Sequence, residues 1–277
     1  PDLSSFEQRR VSESTKIYDR TGTVLLYDLH QNVKRTVVPA SSISIFVKNA
    51  TVAIEDEDFY KHRGIKVSSI FRAVFANILS GQYSQGGSTI TQQVVKNTLL
   101  TQEKTIARKI KEWVLAVKLD QTLPKDKILE IYLNETSYGG NMYGIEEASK
   151  QFFGKSAKEV TIAEAAYLAA IPQATTYYSP YGTHLKELEA RKNLVLQKML
   201  SLGYITEQEH KTAKTEKVAL ESQNQFGIKA PHFVFFVKEY LEGILGKDAL
   251  DREGYKVITT IDMDMQEKAS DLIKTTA

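Results

Sequence analysis

Residues 16–38 are rich in β-branched and aromatic side chains. Ile17-Tyr18, the turn pair Thr21-Gly22, Thr23–Tyr27 and Thr36–Val38 predict a small N-terminal β-hairpin. From about 41 to 215 the apolar period lengthens to that of helices. Phe71, Val74, Phe75, Ile78 and Leu79 form one stripe at helical spacing, and Ile106, Ile110, Trp113, Val114 and Val117 form another. Leu123-Pro124 opens a helix running through Leu133. A small-residue helix, Ala163–Ile171, is stopped by Pro172, and a helix over Leu188–Leu202 is stopped by Gly203. Beyond about 215 the texture changes. Phe233–Val237 leads into a helix to Leu245, Tyr255–Ile261 alternates like a strand, and Asp262–Ile273 is again helical. The pattern predicts a mainly α domain over 41–215, preceded by strands and a linker over 1–40. Residues 216–277 form an α+β tail too short for a second core, read as a linker and the truncated start of a further domain.

Composition adds exclusions rather than a function. Hydrophobic residues make up 42% of the 277 residues and charged ones 25%, which excludes a mainly disordered chain. A net charge of +2 excludes a grossly basic nucleic-acid protein, so no nucleic-acid partner is expected. Without cysteine there is no disulfide, thiolate metal site or Cys nucleophile. The longest apolar runs, Trp113–Val117 and Phe233–Val237, fall far short of the ~18 residues of a membrane span.

Three clusters carry candidate chemistry. Glu55-Asp56-Glu57-Asp58 follows the apolar Val52-Ala53-Ile54. Four adjacent carboxylates repel one another, raise one another's pKa and invite a cation or a general base, although an acidic helix terminus needs no function. Gln85 through Gln93, with Gly86-Gly87-Ser88-Thr89 and Thr91-Gln92, then Lys96-Asn97, is a polar loop suited to sugar hydroxyls or phosphate oxygens. No Gly-Lys-Ser/Thr follows its glycines, so it is not a Walker loop. Arg108, Lys109 and Glu112 converge on one helix face away from the apolar stripe, which also suits an exposed ion-paired surface.

In order along the chain stand Glu55-Asp56-x-x-Phe59-x-x-His62-x-Gly64, Gly87-Ser88-Thr89-Ile90-Thr91-Gln92-Gln93-x-x-Lys96-Asn97, Arg108-Lys109-x-x-Glu112 and Lys127-Ile128-Leu129-Glu130-x-Tyr132-Leu133-Asn134. Together they resemble the peptidoglycan glycosyltransferase family of class A penicillin-binding proteins and monofunctional transglycosylases. The likeness continues through Tyr143-Gly144-Ile145, Phe152-Phe153-Gly154-Lys155, Pro172-Gln173 and Tyr178-Ser179-Pro180 to about Arg191. Val94, Ser149, Phe152 and Thr175 are mild departures.

The resemblance implies a lysozyme-like helical fold and polymerisation of lipid II with inversion and release of polyprenyl pyrophosphate. It gives Glu55 and Glu112 the two catalytic glutamate positions, with Glu55 as general base. Glu112 would orient neighbouring cations or share a Mg²⁺ with the pyrophosphate. Lys96, Arg108 and Lys109 become pyrophosphate ligands, Ser88, Thr89, Gln92 and Gln93 line the cleft, and Arg191 sits near the donor site. It also implies lipid II and a growing glycan strand as partners, a membrane surface under the Phe71–Leu79 stripe, and a cell-wall synthesis complex. The implied location is the extracytoplasmic face of the cell membrane, reached through an N-terminal anchor outside this sequence. The tail around Tyr255–Asp262 resembles the opening of a penicillin-binding half, yet no Ser here has a Lys three residues later, as that nucleophile motif requires. Transpeptidase activity is therefore not expected of this chain. Rival readings are a lysozyme-like lytic enzyme using Glu55 as acid and a non-catalytic lipid-pyrophosphate binding module. A cleaving enzyme needs no pyrophosphate cradle, which favours synthesis.

Overall fold

The computed structural model describes residues 15–29, 34–66, 87–98, 100, 105–139, 142–221, 228–250 and 254–276. The predicted Phe71–Leu79 stripe lies outside the described residues.

The site-bearing body is helical. Helix α1 (Ile45–Glu55) starts where the Ser44 hydroxyl accepts the Phe46 N–H at 3.2 Å, and it buries Val47, Ala50, Val52 and Ala53. Helices α2 (Ile90–Thr98), α3 (Ile106–Thr122) and α4 (Lys125–Glu135) follow, and α2 packs against both α3 and α4. Pro124 stands immediately before α4, where its missing N–H costs nothing. Helix α5 (Ile145–Phe153) leads to α6 (Ile162–Ala170), which Thr161 and Glu164 start with a reciprocal capping box. Helix α6 is largely alanine on its buried side, and its small side chains let α1 and α7 (Leu185–Ser201) approach it from either flank. Helix α8 (Glu207–Thr215), which the pattern leaves unassigned, carries a second capping box from Thr206 and Glu209. Helix α9 (Pro231–Leu245), the short α10 (Lys247–Leu250) and α11 (Met263–Thr276) complete the helices.

Two small sheets flank this body. Strands β1 (Lys16–Tyr18) and β2 (Leu25–Asp28) form the predicted hairpin, and β1 also pairs in parallel with β6 (Lys256–Ile258), Ile17 opposite Val257. The N-terminal strands and the tail, separate in the sequence reading, thus share one sheet. Their own core contains Ile17, Leu26, Tyr27, Leu29, Val234, Leu250 and Met263. The second sheet joins β3 (Lys34–Arg35), β5 (Met142–Tyr143) and β4 (Ser137–Gly139). Thr36–Val38, expected as strand, lies outside it. Instead Asn134 brackets Val38, accepting its N–H and donating to its carbonyl, both at 2.9 Å.

Helix α3 departs from the sequence pattern. Ile110 is 52% exposed and Val114 62%, while Glu112 is 1% exposed and Ala116 fully buried. Of the apolar stripe, Ile110 and Val114 thus point outward, while Trp113 and Val117 are half-buried. The inward face carries the buried Glu112 as well as Ala116 because α3 lies across the segment at Gly64 and across α2, where Gln92 and Thr91 offer hydrogen-bond partners to Glu112 and Asp120.

Candidate active site

Helix α1 ends at Glu55, and there the carboxylate quartet fans out. Asp56 turns inward, where its Oδ2 accepts the Ile90 N–H at 3.1 Å and faces His62 Nε2 at 2.8 Å. It therefore satisfies a backbone donor at the start of α2. Glu57 reaches Lys198 at 3.2 Å. Asp58 pairs with Lys66 and with Lys61, and the hydrogen bond from Lys66, then that from Lys61, holds its carboxyl below the usual range. Mutual crowding, expected from four adjacent carboxylates, is thus relieved by a partner for each, with Lys66 shared between Asp58 and, at 3.8 Å, Glu57.

Glu55 has different company. Its Oε2 accepts a 2.7 Å hydrogen bond from Gln93 Nε2. Tyr132 and Tyr138 lie in its field. Burial pushes both phenols far above their ordinary range, and the negative charge on Glu55 adds to the shift. Arg191, on α7, shares that field. Burial lowers its pKa and Glu55 opposes the shift. Arg191 Nε donates to the Ala170 carbonyl at 2.9 Å, and its guanidinium carbon stands 5.4 Å from the Tyr178 ring centroid.

Helix α2 is built to present consecutive glutamines. Thr89 and Gln92 form a capping box with glutamine in the usual glutamate place. The Thr89 N–H donates to Gln92 Oε1 at 2.9 Å, and the Gln92 N–H to Thr89 Oγ1 at 3.1 Å. Thr89 Oγ1 also donates to the Gly64 carbonyl at 2.6 Å. Gln92 Nε2 donates to Glu112 at 3.3 Å, while Gln93, turned by roughly 100°, holds Glu55. Glu112 also accepts from Lys109 Nζ, which donates to Ser88 Oγ at 3.1 Å.

The structure therefore links Glu55, Gln93, Gln92, Glu112, Lys109 and Ser88 through one helix. Thr89 and Gln92, at 2% and 3% exposure, lie beneath the loop as supports, whereas Ser88 is exposed. Lys96 sits exposed on the last turn of α2, and Arg108 is half-buried beside Lys109 on α3. Sequence reasoning gave no site role to Tyr132, Tyr138 or Tyr178. Tyr132 sat within a quoted motif, but nothing in its spacing revealed that it faces Glu55.

Glu112, the one expected ligand, already receives Lys109 and Gln92, and among the described residues no group of three or more His, Asp or Glu could hold a metal.

The chain is 39% identical over 269 residues to Penicillin-binding protein 1A of Aquifex aeolicus, covering 97% of this chain and 36% of that protein. It is 34% identical over 275 residues to Penicillin-binding protein 1A of Escherichia coli, covering 99% and 32%. It thus spans about a third of the length of these relatives. A crystal structure of Penicillin-binding protein 1A from Haemophilus influenzae covers 95% of this chain and 29% of its own at 22% identity, with a TM-score of 0.42. Residues 22–200 match the family model described as Transglycosylase, so this chain belongs to the transglycosylase family, the peptidoglycan glycosyltransferases that its motifs resemble.

Proposed function

We propose that this domain joins lipid II units into glycan strands, with Glu55 as general base. Its carboxylate takes the proton from the 4-hydroxyl of the acceptor sugar. The freed oxygen attacks the donor's anomeric carbon from the opposite side, and the bond to the lipid pyrophosphate breaks with inversion. Lys109, Arg108 and Lys96 neutralise the charge that collects on the leaving group. Glu112 holds Lys109 in place rather than exchanging protons. The observation that carries this reading is helix α2, whose adjacent glutamines hold Glu55 on one side and the Glu112–Lys109 pair on the other. A lytic enzyme has no use for the second pair.

The partners proposed are lipid II, the growing strand and, more loosely, a cell-wall synthesis complex at the extracytoplasmic membrane face. Exposed Ile110 and Val114, on the helix that carries Lys109, support approach from a lipid surface. No helix among the described residues is long and apolar enough to cross a membrane. Any Mg²⁺ enters with the pyrophosphate.

The test is Glu55→Gln with lipid II as substrate. Polymer from the parent chain and a loss of about 10²–10⁴-fold in the variant, with unchanged melting, are expected. Activity within tenfold of the parent, or cleavage of preformed glycan without polymer, refutes the proposal.

A further inference from the structure

Arg191 is held at two points of its side chain. Its Nε is spent on the Ala170 carbonyl at 2.9 Å, and its guanidinium lies over Tyr178, centroid 5.4 Å from Cζ. A bonded Nε and an aromatic floor remove most of the rotamer freedom of this side chain. Tyr178 in turn stands edge-on to Tyr177, with centroids 5.1 Å apart and planes at 88°. Tyr177 stacks on His184 at 3.9 Å and 19°. His184 Nε2 lies 3.0 and 3.1 Å from the two carboxylate oxygens of Glu239, on α9. The same face of α9 takes a second grip on this loop, Thr176 Oγ1 donating to Glu242 at 2.9 Å. An unbroken series of contacts thus runs from the tail helix to the arginine that shares a field with Glu55.

We infer that Tyr178 and His184 are positioning residues for Arg191, and that helix α9 clamps them through Glu239. The guanidinium then meets the reacting centre already oriented, without being ordered by each substrate. Burial, which lowers the Arg191 pKa, strengthens its attraction to the Tyr178 ring. This inference rests on the polymerase reading for its kinetic consequence but not for its geometry.

The experiment separates the two. In the full 277-residue chain, Tyr178→Leu, Tyr178→Phe and Glu239→Ala are compared by hydrogen exchange of the Arg191 Nε–H, followed by NMR, and by turnover of lipid II. Tyr178→Leu should speed Nε–H exchange and lower kcat by about 3- to 30-fold, the equivalent of one cation–π contact, with KM for lipid II little changed. Tyr178→Phe, which keeps the ring, should restore both. Glu239→Ala, at a partly exposed site, should move both in the same direction by less, and adding it to His184→Ala should cost no more than His184→Ala alone. Unchanged Nε–H exchange in Tyr178→Leu, or Phe behaving like Leu, overturns the inference. If Nε–H exchange responds as expected while the parent chain makes no polymer, the polymerase reading falls and the positioning role stands.

Discussion

A single methyl group at position 64 probes how α3 is held over the start of the site. Gly64 has φ +82°, and a Cβ built there would stand 2.4 Å from the Ala116 carbonyl oxygen, 2.7 Å from its carbon and 3.0 Å from Val117 N. Those atoms are helix backbone and cannot swing aside. Gly64→Ala therefore carries two costs. Left-handed backbone costs an L-residue roughly 1–2 kcal/mol, and overpacking that forces a helix to move costs about 1–3 kcal/mol. Gly203 supplies the control, because it has φ +72° and nothing within 4 Å of a built Cβ. Gly203→Ala should show only the first cost. The gain from restricting the unfolded chain is common to both and cancels in the comparison. At about 2–4 °C per kcal/mol for a chain of this size, Gly203→Ala should lower Tm by about 2–8 °C and Gly64→Ala by about 4–20 °C. Thermal unfolding followed by circular dichroism measures both. Because Thr89 bonds the Gly64 carbonyl, displacing α3 should also loosen the Ser88–Lys109 contact and slow polymerisation. A Gly64→Ala variant that melts no lower than Gly203→Ala would refute the close-packing argument.

Two further outcomes are expected. Asp58, held below its ordinary value of 3.8 by Lys66 and then Lys61, stabilises the fold above that pH, and this contribution is lost as pH falls through its depressed folded value. The Tm gap between parent and Asp58→Asn should therefore hold steady from about pH 5 to 8 and close towards about pH 2; a gap that persists in acid would show that the ion pairs are not its source. Lys66, raised by the same contact, should lose its share only as pH climbs past 10.5. Glu112→Gln removes a charge-assisted partner of Lys109 and should cost about 1–3 kcal/mol in urea unfolding and about 10- to 100-fold in kcat/KM. A higher Mg²⁺ concentration for half-maximal turnover in that variant would assign Glu112 to a shared metal; an unchanged one fits its role as the anchor of Lys109.

Much of this protein is legible in its residue order. Ordered motifs carried the family, because residues chosen for chemistry survive in recognisable sequence order. The helices beginning at Pro124 and ending near Gly203 were legible because breakers and caps act locally. For helix α3 periodicity gave the helix but not which way it faces, because it reports where apolar side chains stand relative to one another and not which side another element covers. In the Glu55–Asp58 quartet the separate directions of the four carboxylates were not legible, because a helix end sends successive side chains different ways: Glu55 to Gln93, Asp56 to the Ile90 N–H, Glu57 to Lys198 and Asp58 to the nearby Lys61 and Lys66.

The sequence alone determined the family, the mainly helical class and the identities of Glu55, Lys109 and Glu112 as candidates, since these depend on residue type and order. Only the tertiary structure decided that Gln93 serves Glu55 while Gln92 serves Glu112. It alone joined the N-terminal hairpin to the tail through β6, and set Tyr178 beneath Arg191. Those pairings link residues far apart along the chain, and only packing of the folded core sets distances across such separations.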